Sequence, residues 1–424
     1  MTPDRSKAPE VLPFGLMVMP AETVERLPNG ILFHRYRGGD QPVCRLTVQI
    51  AGGTAEMGEA TAKLLLSQLT EGTAHHDAEE IAEALDYNGA RLVTQAQTHF
   101  SVIDLSMLSA RVGDTLPVLG EILIEPAFPQ ERLEVSQLKF KNVIQTSRVS
   151  PAAMANEGLL ALVWGEGNPY AHSMDEAAID LVTVERLRQC HRRMLAPEKI
   201  NVYLSGLFDE DTVAHVRDFL SSIPRLGEGY GMDIYPANPE PAGTVATVDM
   251  PSTLQCGIAC GIPTIGRDHP DFAALRFTVM ALGGYFGSRL MSNIREDKGL
   301  TYGISAAVLC GQDGGHVYIG TLTDRNSADI VIAEIRRELA AMADNPPSGA
   351  ELERFRTYAM TGLAELLDNP ASVMQYYASR NLVGSPDDYF EVQQRVLRSL
   401  TPEEIARLSS TYLQPEALRI SLAK

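Results

Sequence analysis

Cysteine, basic charge and long apolar runs are all in short supply in this sequence. Its five cysteines, Cys44, Cys190, Cys256, Cys260 and Cys310, are odd in number and scattered. That excludes a disulfide framework and suits a reducing compartment. Cys256 and Cys260 lie four apart in an apolar run, where strand alternation places both on one face as buried thiols. No second Cys or His pair follows to complete a metal site. Lys and Arg number 36 against 54 Asp and Glu, a formal charge of −18. No basic field exists to hold a nucleic-acid backbone or an anionic membrane. No run of about 18 apolar residues occurs, which excludes a membrane-spanning helix. Met1 to Pro20 mixes Asp4, Arg5, Lys7 and Glu10 with four prolines and has no signal-peptide core, so the expected location is cytoplasmic. The dinucleotide GxGxxG, the P-loop and the GxSxG nucleophile elbow are missing as well.

What is present is an ordinary globular composition, 45% hydrophobic and 21% charged, in 424 residues, enough for two domains. The chain also repeats itself. Thr183 to Pro197 and Glu198 align without a gap on Thr401 to Pro415 and Glu416, at an offset of 218. Gly167-Asn168-Pro169 meets Gly384-Ser385-Pro386, and Pro151-Ala152 meets Pro370-Ala371, at nearly the same offset and in the same order. The reading is an N-terminal arm (1–29), a first domain (30–225), a Pro/Gly-rich linker (226–240) and a second copy of the first domain (241–424). Each copy reads as strand, apolar helix, short helix, hairpin, long helices, final helix and closing strand. In the first copy the strand is Val43–Ala51, the helix Glu59–Thr70 and the hairpin Ala90–Gln97 with Phe100–Leu108. In the second the strand is Gln255–Gly261 and the helix Phe272–Ala281; the short helix spans Gly287–Glu296, and Thr301–Leu309 pairs with His316–Leu322 across the turn Gly311–Gly315. Hairpins with helices gathered later in the chain predict an α+β fold: two tandem α/β sandwiches with mixed or antiparallel sheets.

The densest polar cluster is His75-His76-Asp77-Ala78-Glu79-Glu80. His76 and Glu80 have the spacing of two metal ligands on one helical face, but Asp77 with Glu80 is the stronger pattern of an N-cap and its capping-box partner. The remaining histidines, including His34, His99, His172, His191 and His316, stand alone and read as surface or core residues. Asp387-Asp388 and Glu403-Glu404 read as helix-start acids. The informative stretch runs from Gly283 to Gly303, through Ser288-Arg289-Leu290 and Arg295-Glu296-Asp297-Lys298-Gly299-Leu300-Thr301-Tyr302. A guanidinium at the end of the short helix and a phenol at the mouth of the next strand suit binding of a peptide carbonyl and steadying of an oxyanion. From spacing alone, Arg295 as a helix C-cap with Tyr302 packed on it fits equally well.

This stretch resembles the second-half signature of the pitrilysin/insulinase-type metallopeptidases (inverzincins), which include the mitochondrial processing peptidases and the respiratory-complex core proteins. The resemblance rests on Ser-Arg-Leu, on Arg-Glu-x-x-Gly-Leu-x-Tyr and on the tandem repeat. It implies a processing-peptidase-like half clamshell in which Arg295 and Tyr302 contact peptide substrate across a chamber, opposite a zinc ion. The family's zinc motif, H-x-x-E-H before a Gly-Thr, falls here on Lys63, Leu66 and Ser67 when anchored on Gly72-Thr73. None of the three is a competent zinc ligand. The family's further Glu is missing too, since Ser136 through Asn156 contains no acid. The resemblance therefore implies a chain without metal or cofactor of its own. It would be the non-catalytic member of a heterodimer, inactive alone, whose homologous partner carries H-x-x-E-H and zinc. A non-proteolytic scaffold and a peptide-binding chamber are the alternatives, and Gly283-Gly284 is shorter than the glycine-rich loop of the inactive processing-peptidase subunit. Exposed strand edges such as Ala90–Gln97 offer a place for a peptide to add as a strand.

Overall fold

The strand that closes each repeat lies inside its sheet, where both of its backbone edges are paired. The structure is a computed structural model and describes Ser6 and residues 15–171, 174–236, 243–311 and 314–424. The first sheet contains β1 (Thr23–Arg26), β2 (Leu32–Arg37), β3 (Val43–Ala51), β4 (Arg91–Ala96), β5 (Phe100–Leu108) and β6 (Ile200–Gly206), in the order β1-β2-β6-β3-β5-β4. The second contains β7 (Val245–Val248), β8 (Gln255–Thr264), β9 (Thr301–Cys310), β10 (Gly315–Asp324) and β11 (Arg419–Ala423), in the order β7-β11-β8-β10-β9. With β1 set aside the two orders coincide. In each, the closing strand pairs in parallel with the strand that begins the repeat, β6 with β2 and β11 with β7. The pairs β3–β5 and β8–β10 are antiparallel, as the expected mixed sheets require. β1 lies within the segment read as an arm and pairs with β2.

The repeat anchors turn out to be capping chemistry. Ser150 and Asn369 accept from the N–H groups of Ala153 and Ser372, with Pro151 and Pro370 next in line at the first helical position. Thr183 and Thr401 cap the helices that precede the closing strands in the same way, and Pro197 and Pro415 open matching short 3₁₀ turns. The helix Pro151–Trp164 stops at Gly165 (φ 90°), and Pro370–Val383 stops at Gly384 (φ 63°).

These two helices cross between the repeats. Pro151–Trp164 packs on β7, β8, β10 and β11 of the second sheet, where Ala155, Leu159, Val163 and Trp164 bury against Met250, Ala259 and Ala423. The approach is close: a Cβ on Gly257 would meet Pro151 O at 2.1 Å, and one on Gly158 would meet Ser421 Oγ at 2.4 Å. Arg419 Nη1 donates to Leu162 O (2.8 Å) and Val163 O (3.1 Å) across the same seam. Reciprocally, Pro370–Val383 packs on β2 and β6, with Val373, Met374, Tyr377 and Ala378 buried against Tyr203. The other face of each sheet carries its own repeat's helices and the larger core, including Leu64, Leu65, Leu119 and Ile122 in one and Phe277, Leu282, Ile335 and Leu408 in the other.

Cys256 and Cys260 are both fully buried in the second core, where desolvation raises both thiol pKa values. The expected short helix over Gly287–Glu296 differs in kind. Met291–Asp297 is a π-helix, in which Lys298 N reaches back to Asn293 O at 3.2 Å. The wide turn lets Ile294 stay buried while the Asn293 amide donates to Glu334 Oε2 (2.9 Å) and Glu338 Oε1 (2.8 Å). Among the described residues no helix is long and apolar enough to cross a membrane. His172 and the expected turn residues Gln312 and Asp313 lie outside the described residues.

Candidate functional site

The helix Glu59–Gln68 packs most of its length into the first core, with Ala60, Ala62, Leu64, Leu65 and Leu66 buried. Its three motif positions are occupied by interactions of their own. Lys63 Nζ meets Glu59 Oε1 at 2.5 Å, one helical turn back. Leu66 is 2% exposed, and the Ser67 hydroxyl donates to Leu64 O at 2.9 Å. An ammonium and an alkyl chain present no lone pair to a zinc ion, and a neutral hydroxyl is a poor ligand. The residues present do not fit the metal. Among the described residues, no group of three or more His, Cys, Asp or Glu side chains is placed to hold a metal ion.

Glu59 and Lys63 border a cavity of about 330 Å³. Its far wall comes from Ile144 and Arg148 at the end of helix Gln130–Arg148, and from Met154, Asn156 and Glu157 on the crossing helix. Sequence reading missed Glu157, which lies one residue beyond the acid-free span and reaches this cavity. Asp175 also lines it, but its carboxylate caps the next short helix by accepting from Ala178 N at 2.6 Å.

Sequence reading also missed a buried polar centre nearby. Glu56 and His99, whose side chains are 6% and 4% exposed, form a pair of 2.7 Å between Oε1 and Nδ1. The other Glu56 oxygen accepts from Gly53 N at 2.8 Å, and His99 Nε2 lies 3.1 Å from Tyr170 Oη. Tyr170 in turn stacks on Trp164 of the crossing helix at 4.5 Å between ring centroids. The only sequence signal was a solitary histidine, because its partner is distant along the chain. The His75–His76 cluster resolves as capping: Asp77 accepts from Glu79 N and Glu80 N, while Asp77 N donates in return to Glu80 Oε2. His76 Nδ1 pairs with Glu121 at 2.8 Å, not with Glu80, and this contact raises the His76 pKa.

Arg295 and Tyr302 present the opposite picture. Arg295 extends from the π-helix, its guanidinium 4.9 Å over the ring of the exposed Phe286. It makes no ion pair among the described residues. Tyr302 is the second residue of β9, the edge strand of the second sheet, and is 93% exposed. At that exposure it does not pack on Arg295, as the alternative reading of the spacing required. The support beneath is firm: Gly299 turns with φ 62°, Thr301 Oγ1 and Thr321 Oγ1 share a hydrogen bond of 2.7 Å, and Lys298 pairs with Glu334 at 2.5 Å. Neither side chain lines the Lys63 cavity.

Residues 181–358 match the family model described as Peptidase M16 inactive domain. Over that span, short of half the chain, the sequence is similar to this family. The chain is 21% identical over 313 residues to the "Uncharacterized zinc protease YmxG" of Bacillus subtilis, an alignment covering 74% of this chain and 75% of that protein. It is 25% identical over 283 residues to the "Non-peptidase homolog YmxG" of Helicobacter pylori, covering 66% and 62% of the two. Its fold is similar to the crystal structure of a peptidase M16 inactive domain from Pseudomonas fluorescens, with a TM-score of 0.86 at 23% identity, over 95% of this chain and 98% of that one. A protease from Helicobacter pylori gives a TM-score of 0.87 at 16% identity, over 96% and 100%. The M16 similarity agrees with the resemblance read from the sequence.

Proposed function

We propose that this chain is the non-catalytic subunit of a two-chain zinc metalloendopeptidase. It offers Arg295 and Tyr302 to a peptide held against a homologous partner that bears H-x-x-E-H. The observation that carries this reading is the contrast between the two motif sets. Lys63, Leu66 and Ser67 are turned to structural contacts, while the Tyr302 hydroxyl stands fully exposed on a braced strand. In the assembled pair, Tyr302 Oη donates to the scissile carbonyl oxygen as negative charge builds on it, and Arg295 binds a backbone carbonyl of the substrate. The hydrolytic step belongs to the partner. The matching H. pylori protein named as a non-peptidase homologue supports a chain without its own proteolysis.

The test is reconstitution with the homologous chain encoded nearest to this one that carries H-x-x-E-H. Peptide hydrolysis is measured for each protein alone and for the mixture. Turnover that needs both chains is the expected result. Chelator-sensitive hydrolysis by this chain alone, or a mixture no faster than its partner, refutes the proposal; the latter leaves a scaffold or a peptide-binding chamber.

A further inference from the structure

A second cavity, of about 650 Å³, lies where the crossing helix Pro370–Val383 bridges the two repeats. Four arginines line it: Arg45 from β3, Arg267 from the loop after β8, Arg276 from helix Phe272–Gly283, and Arg380 from the crossing helix. No Asp or Glu lines it, although the chain as a whole carries 18 more acids than bases. Two of the arginines are neutralised from behind. Arg45 Nε donates to Asp104 Oδ1 at 2.8 Å, and Arg380 pairs with Glu22 at 3.5 Å and Asp387 at 3.2 Å. The other two are not. Arg276 forms no ion pair among the described residues, and burial together with the nearby Arg267 charge lowers its pKa. Arg267 Nη1 donates to Ser379 Oγ at 3.5 Å and the residue sits against the Cys310 thiol, but it meets no carboxylate among the described residues and its Nε is buried without a hydrogen-bond partner.

The hydroxyls around these guanidiniums tell the same story. Tyr376 Oη and Ser385 Oγ border the cavity, are buried, and make no hydrogen bond among the described residues, while Tyr389 Oη on the same wall faces the Arg276 guanidinium. Buried donors are nearly always satisfied, because leaving one unmade costs its full desolvation. Three such groups around one cavity, beside two cations without counter-charges, mark a site built for something that accepts from many directions. Asn369 and Ser372, at the N-terminal end of the crossing helix, add its dipole to the same wall. Two uncompensated positive charges match a dianion, and the ring of hydroxyl and guanidinium donors suits tetrahedral oxygens better than a planar carboxylate.

We infer that the Arg45–Arg267–Arg276–Arg380 cavity binds a small phosphate-bearing anion, held chiefly by Arg267 and Arg276, at the seam between the repeats. The volume exceeds that of one phosphate and leaves room for a second phosphate or an ester group. The site is separate from Arg295 and Tyr302 and stands whether or not the chain has a peptidase partner.

Calorimetric titration of the full chain with inorganic pyrophosphate, at ionic strength held constant with potassium chloride, tests this directly, with citrate as the carboxylate control. Pyrophosphate is expected to bind and to raise the melting temperature, and citrate to do so at least tenfold more weakly. Arg276→Met and Arg267→Met are each expected to weaken pyrophosphate by about tenfold or more, the usual consequence of losing a charged hydrogen-bond donor. Unliganded Arg276→Met should melt at or above the wild-type temperature, since an unpaired cation leaves a half-buried position. That separates lost binding from lost folding. Tyr389→Phe, which removes only a hydroxyl, supplies a second variant and should weaken binding with the unliganded melting temperature unchanged. No binding at millimolar pyrophosphate, unchanged affinity in the arginine variants, or equal affinity for citrate would each overturn the inference.

Discussion

The two repeats share one strand order, yet their candidate functional positions have gone opposite ways. In the first, Lys63 folds back on Glu59, Leu66 joins the core and Ser67 bonds its own helix. In the second, Arg295 rests on an exposed ring and Tyr302 projects into solvent from a braced edge strand. The comparison teaches that a shared fold carries no activity by itself, since matching architecture leaves one set of positions bonded within the chain and the other open to solvent. On the function proposed above, the first set is a spent site and the second waits for a partner.

Four experiments break or sharpen this contrast. The largest expected effect is that of Tyr302→Phe in the reconstituted pair, which should cut turnover by about 10²–10³-fold, the usual loss of one oxyanion donor. Wild-type turnover would remove the phenol from the mechanism. Acid should next discriminate between the two seams. His316 on β10 is 3% exposed, edge-on to Trp164, with both ring nitrogens unpartnered, and burial pushes its pKa down to about 4. The unfolded chain binds this proton below about pH 6.5 and the folded chain only near pH 4. Stability should therefore fall, by up to about 3 kcal/mol, as the pH drops through that window, and then level off. Urea unfolding followed by the single tryptophan, Trp164, measures it, and His316→Gln should flatten the profile. His34 at the other seam instead holds Glu22 at 2.8 Å while stacked on Tyr203.

Third, Gly257→Ala forces a methyl against Pro151 O and should cost about 1–3 kcal/mol in urea unfolding. A neutral result would mean that the crossing helix floats on its sheet. The smallest effect belongs to Lys63→Met. It removes a partly exposed i,i+4 ion pair, worth about 0.5 kcal/mol or less, and should leave turnover of the pair untouched. A large loss of activity would return the first repeat to the chemistry.

Much of the fold was legible because it is written in local signals. Val43–Ala51 alternates as a strand and is observed with those bounds, and the repeat anchors at Pro151, Thr183, Pro370 and Thr401 prove to be helix starts. The π-helix was not legible, since its widening depends on Asn293 reaching two glutamates on a distant helix. Nor was the exchange of helices: a run such as Ala152-Ala153-Met154-Ala155 promises a close-packed face without saying which sheet will meet it. Of the candidate site, the substitutions at Lys63, Leu66 and Ser67 could be read directly. The Glu56–His99 pair and the arginine-lined cavity could not, because each gathers residues far apart in sequence.

The exchanged helices also constrain how the molecule can move. Swinging one sheet away from the other would strip Leu159 and Val163 from one surface and Val373 and Met374 from the other, all of them fully or almost fully shielded from water. The chain is thus buckled to itself on both sides, like two clasped hands. In the two-chain peptidase proposed above, a mouth for a polypeptide would therefore form along the boundary with the partner and not by parting these two sheets.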